Sequence, residues 1–79
     1  MEWIKIYKNG VFIKECKSIQ KAGLSLKEYT GDRFKRFNAI QQGYCYGEVW
    51  NFEGASYTFE ASNETKTRRR SELEGMKNT

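Results

Sequence analysis

The chain has 79 residues, with 14 Lys/Arg against 10 Asp/Glu for a net charge of +4, and a mean hydropathy of −0.85. A chain this short makes one small domain with a limited core, and no apolar run approaches the roughly 20 residues that span a bilayer. With no histidine, two cysteines and seven glycines scattered singly, it lacks a four-ligand zinc set, a histidine-activated nucleophile and a phosphate-cradling loop. These exclusions predict a protein that is not an enzyme and has no metal, cofactor or membrane partner. The start, MEWIKIYKNG, alternates polar and apolar residues and lacks the apolar centre of a secretion signal. It reads as a strand of a cytoplasmic protein, in which Cys16 and Cys45 are expected to stay reduced.

The expected fold is α+β: an N-terminal β-hairpin, two short helices in a helix-turn-helix-like arrangement and a C-terminal hairpin. They fill residues 1–61, and a polar tail follows over 62–79. Residues 3–8 and 11–16 are alternating runs joined by Asn9-Gly10, the signal for a two-residue type I′ turn. Regular pairing from that turn sets Tyr7 against Phe12, Ile6 against Ile13, Lys5 against Lys14 and Trp3 against Cys16. Ile4, Ile6, Val11 and Ile13 then share a core face. The opposed Lys5 and Lys14 would repel each other, so they either hold a phosphate or lean apart into water.

Ser18 is a good N-cap for a helix starting at Ile19, with Ile19, Ala22 and Leu26 on its buried side. Gly23 weakens that helix, leaving residues 24–31 as either its extension or a turn, with Leu24, Leu26 and Tyr29 filling space between helices. A second helix is expected over residues 32–42, started by Thr30 or Asp32 and closed by Gly43 in a left-handed cap. Its Phe34, Phe37 and Ile40 fall at i, i+3 and i+6, one buried helical face. Arg33, Lys35, Arg36, Asn38 and Gln42 then point elsewhere, and these side chains suit phosphates and base edges. The alternative is an ordinary solvated charged face.

Beyond Glu48 the period returns to two. Residues 49–52 and 55–59 read as a hairpin about Glu53-Gly54, with Trp50 opposite Tyr57 and Phe52 and Phe59 on one face. That row is expected to be core, the alternative being a base-stacking platform, which the nearby Glu48, Glu53 and Glu60 disfavour by repelling a nucleic acid. The tail is either a frayed helix or disordered, outside the core. Its Arg68, Arg69 and Arg70 either lie on phosphates or pair internally with Glu64, Glu72 and Glu74. Residues 1–47 hold nine Lys/Arg and four Asp/Glu, whereas residues 48–79 hold five and six. The positive surplus thus sits in the N-terminal part, which favours a polyanion partner there.

The order of these pieces resembles the nuclease-associated modular DNA-binding domains of phage homing endonucleases. The resemblance rests on YKNGVFIKECKSIQKAG, with its Asn-Gly turn and Ser-Ile-x-x-Ala helix start. It continues through NAIQQGYCYGEVWNF, with Ile40-x-x-Gly43 and Gly47-x-x-Trp50. The chain departs from that pattern in a shorter Ile40-to-Gly43 spacing and a longer intervening LSLKEYTGDRFKRF. The resemblance implies a non-enzymatic protein whose second helix enters a groove of duplex DNA. Arg33, Lys35, Arg36 and Asn38 would then lie at the DNA, with Lys14, Ser18 and Lys21 as flanking phosphate contacts. The competing expectation is a small phage-type effector that binds a host or defence protein. In that case Trp3, Tyr7, Phe12, Tyr44 and Tyr46 would form a contiguous aromatic patch.

Overall fold

The structure, a computed structural model, describes residues 2–77. In chain order it contains β1 (Ile4–Lys8), β2 (Val11–Cys16), α1 (Ile19–Thr30), α2 (Phe37–Tyr46), β3 (Trp50–Phe52), β4 (Ala55–Ala61) and α3 (Asn63–Lys77). The strands form one antiparallel sheet in the order β2-β1-β4-β3, so two hairpins lie side by side with β1 and β4 in the middle. This is the expected α+β architecture.

Both hairpins turn on a pair of left-handed residues, Asn9-Gly10 (φ 50° and 82°) and Glu53-Gly54 (φ 49° and 79°), the backbone that type I′ turns require. Asn9 also ties the hairpins together. Its backbone N–H donates to the Ser56 carbonyl at 2.7 Å, and its side-chain oxygen accepts from the Ser56 N–H at 3.0 Å.

Alternation decides which face of the sheet is buried. Ile4 and Ile6 of β1 and Ala55, Tyr57, Phe59 and Ala61 of β4 turn to one side and meet Ala22 and Leu26 of α1 and Ile40 and Tyr44 of α2. Removing a large aliphatic side chain from water contributes roughly 1.5–3 kcal/mol, and Ile4, Ile6, Leu26 and Ile40 are all completely covered. As expected, Trp50 lies opposite Tyr57, and Trp50 and Phe52 pack partly buried against this core. The other face carries Lys5, Tyr7, Thr58 and Glu60, with the Tyr7 hydroxyl donating to Glu60 at 3.3 Å.

The first hairpin departs from regular pairing. Tyr7 does face Phe12, but the register shifts at Ile6/Tyr7, so that Ile6 faces Lys14, Lys5 faces Glu15 and Ile4 faces Cys16. Ile13 is the extra residue of a β-bulge. The opposed lysines therefore do not exist: Lys5 lies between Glu15 on β2 and Glu60 on β4. The shift also brings Cys16 onto the core face beside Ile4, whereas Val11 stays 67% exposed at the edge.

Ser18 caps α1 as its sequence predicts, in extended backbone, with its hydroxyl accepting from the Lys21 N–H at 3.2 Å. The helix runs through Gly23 to Thr30 and ends at Gly31 in the left-handed region. Leu24 and Tyr29, expected between helices, are about half exposed. The second helix is displaced: it begins at Phe37 rather than residue 32 and ends at the left-handed Gly47 rather than Gly43. Its buried stripe is Ile40, Gly43 and Tyr44, so Phe34 and Phe37 are left exposed. The tail is helical from Asn63, and its start is anchored in the domain. The Ser62 N–H donates to the Trp3 carbonyl at 3.1 Å, and the buried Ser62 and Thr65 hydroxyls lie 3.0 Å apart. Residues 78–79 of the expected tail lie outside the described residues.

Candidate functional site

Because α1 closes at Gly31 and α2 opens only at Phe37, residues 32–36 form the connection between them. Asp32 organises it. One carboxylate oxygen accepts from the Arg33 backbone N–H at 2.7 Å, and the other accepts from Arg36 Nε at 2.6 Å. A second guanidinium nitrogen of Arg36 donates to Asp32 at 3.3 Å. The hydrogen bond from Arg36 is the main cause holding the Asp32 carboxyl below its ordinary range, and the same contact raises the Arg36 guanidinium. Arg36 itself sits in the left-handed region at φ 56°, uncommon for a residue with a side chain.

The Arg36 guanidinium also lies over two aromatic rings, 5.1 Å from the Phe34 centroid and 5.8 Å from that of Trp50. Trp50 in turn stacks on Phe52, with centroids 5.1 Å apart and planes 19° apart. Phe37 lies against Gly23 of α1, where a Cβ would come within 2.5 Å of the ring. That close approach explains why a glycine occupies a helix interior here.

The result is an unbroken exposed run over residues 33–38, Arg-Phe-Lys-Arg-Phe-Asn, with three cations and no acid. Among the described residues neither Arg33 nor Lys35 forms an ion pair. The first turn of α2 adds no acidic residue, and no side chain caps it, so its positive end is not offset locally. Arg36 and Asn38 share a shallow cleft with Phe34, Phe37 and Trp50.

The sequence-predicted contacts are thus divided. Arg36 and Asn38 share one cleft, while Arg33 and Lys35 adjoin them in sequence on the exposed run, Lys35 with its ammonium 5.9 Å from the Phe37 ring. The three cations are on the connection and not on the second helix. Gln42 lies further along α2 and is half-buried. Lys14 is on β2, at the opposite edge of the four-stranded sheet from Trp50, roughly 14 Å away at the usual strand spacing. Ser18 lines a different groove, between the start of α1 and α3, with Lys17, Arg68 and Arg69. Lys21 is exposed on the first turn of α1.

Two of the tail arginines are already paired, Arg68 with Glu2 and Arg69 with Glu72, and Arg70 lies 5.8 Å from the Tyr46 ring. The aromatic patch expected for a protein-binding effector is dispersed: Tyr44 is buried on the core side of α2, whereas Tyr7 and Phe12 meet edge-to-face on the opposite side of the sheet. Sequence reasoning missed Phe34, because helical spacing assigned it to a buried face. It preferred a core role for Trp50, which does pack partly buried against the core while also lying 5.8 Å from the Arg36 guanidinium.

No helix among the described residues is long and apolar enough to cross a membrane, and no group of three or more His, Cys, Asp or Glu among them could hold a metal. Comparison with protein-family models, curated proteins and solved structures finds no match to this chain.

Proposed function

We propose that this chain is a small, non-enzymatic DNA-binding module that grips the sugar-phosphate backbone through residues 33–38. The observation that carries this reading is the exposed run itself: three cations, two phenylalanines and an asparagine in succession, whose one adjacent acid, Asp32, is committed to Arg36. Arg33 and Lys35 are the cations left to meet phosphates, and the uncapped start of α2 is a favourable place for a third negative oxygen. The displaced helix start changes the mode of contact. A helix laid in a groove would present Arg33, Lys35 and Arg36 from its own turns, whereas here a clamped connection presents them ahead of the helix.

Titration of a fluorescently labelled DNA oligonucleotide at several salt concentrations tests the proposal. Affinity should fall linearly on a log–log plot, with a slope of about −2 for two or three neutralised phosphates. Arg33→Ala combined with Lys35→Ala should weaken binding and flatten the slope, while circular dichroism stays unchanged. A folded protein that binds no DNA at low salt would overturn the proposal.

A further inference from the structure

We infer that the DNA is taken as a single strand, with one unpaired base stacked on Phe34. This rests on the proposed DNA-binding reading and specifies the state of the strand. Phe52, Trp50, Arg36 and Phe34 follow one another as a ladder of neighbouring flat groups, of which Phe52 and Trp50 are stacked. Successive members are separated by 5.1 Å (Phe52 to Trp50), 5.8 Å (Trp50 to Arg36) and 5.1 Å (Arg36 to Phe34). The ladder runs from the sheet outward and ends on Phe34, which is 61% exposed. Its last step is held in place, because Asp32 grips the guanidinium that lies over the Phe34 ring.

Phe34 is the most exposed of the five phenylalanines and, among the described residues, keeps only the Arg36 contact as a ring partner. Its neighbours in sequence are the cations Arg33 and Lys35. An exposed ring with a guanidinium 5.1 Å from its centroid and a cation on either side in sequence matches the repeating chemistry of a single strand: a flat base on a phosphate backbone. A duplex keeps its base faces covered and offers only edges and phosphates, so it would leave Phe34 unused. An acidic peptide would answer the cations, but it offers a flat face only where it happens to carry an aromatic side chain, whereas every nucleotide brings one beside its phosphate.

The experiment compares three labelled probes at one salt concentration: a twelve-nucleotide oligo(dT), the same backbone with abasic residues, and a twelve-base-pair duplex. The oligo(dT) should bind more tightly than the abasic strand by roughly 5- to 150-fold, the worth of one base–aromatic stack. Phe34→Ala should erase that difference, and Phe34→Trp should keep it. Phe34→Leu retains apolar bulk beside Arg36 without a π face, so its loss of the difference, with the far-ultraviolet spectrum unchanged, separates stacking from folding. Equal binding of the intact and abasic strands, tightest binding of the duplex, or wild-type discrimination by Phe34→Ala would each overturn the inference while leaving the DNA-binding reading standing. Binding of none of the three probes would remove both.

Discussion

The ring of Phe59 occupies the space that a side chain on Gly43 would need: a Cβ built there falls 2.5 Å from Phe59 Cδ2 and 3.2 Å from the Phe59 Cβ. This contact sets how closely α2 lies on β4. Gly43→Ala gains at most about 1 kcal/mol of helix propensity, against roughly 1–3 kcal/mol for forcing a group into a packed core. The expected outcome is a net loss of up to about 2 kcal/mol. Gly75 in α3 has nothing within 4 Å of its would-be Cβ, so Gly75→Ala should be neutral or stabilising by up to about 1 kcal/mol. Urea unfolding of the two variants checks the opposite signs.

That glycine also shows where the sequence misleads. Asn9-Gly10, Glu53-Gly54 and Ser18 announce two hairpins and a helix start by local chemistry, and each stands where it was expected. The second helix is governed by packing instead. Its stripe, Ile40, Gly43 and Tyr44, contains a residue with no side chain, so the apolar pattern reads more strongly from Phe34, Phe37 and Ile40 and places the start five residues early. The bulge at Ile13 is hidden for a related reason: Val11, Phe12 and Ile13 are all apolar, so no alternation distinguishes the registers.

The bulged register has a measurable signature. Lys5 lies opposite Glu15 and Glu60, so Lys5→Glu would align three acids across the sheet. A loss of about 0.5–1 kcal/mol is expected at low salt, shrinking as salt screens the repulsion. Lys14 faces Ile6, so Lys14→Glu should change stability by less than about 0.5 kcal/mol. In the regular register, Lys14→Glu would instead relieve a repulsion and stabilise. Thermal denaturation of both variants at two salt concentrations distinguishes the pairings.

Ser18 can be assigned a structural role independent of any ligand. Its hydroxyl accepts from the Lys21 N–H at the start of α1, and Ser18→Ala should cost about 1 kcal/mol. Ser18→Asp keeps the cap and should restore most of that stability. Since Ser18 lines a groove distinct from residues 33–38, Ser18→Ala should leave DNA affinity unchanged at a temperature where both proteins are folded. A parallel loss of affinity would extend the contact surface to the start of α1.

The clamp between Asp32 and Arg36 makes the geometry of the connection dependent on acidity. Hydrogen bonding from Arg36 holds the folded-state Asp32 carboxyl below its ordinary value of 3.8. The folded state therefore favours the ionised carboxylate, and the contribution is fully present above 3.8. It is lost as the pH falls further, through the lower folded-state value, when protonation releases the guanidinium. Nuclear magnetic resonance titration of the Asp32 carboxyl should give a midpoint below the ordinary one in the wild type, moving upward in Arg36→Ala. Resonances of the Phe34 ring should shift over the same acid range, because the guanidinium that Asp32 holds lies over that ring. A Phe34 ring insensitive to the titration of Asp32 would show that the carboxylate does not position it. The ladder would then have to be ordered by Trp50 alone.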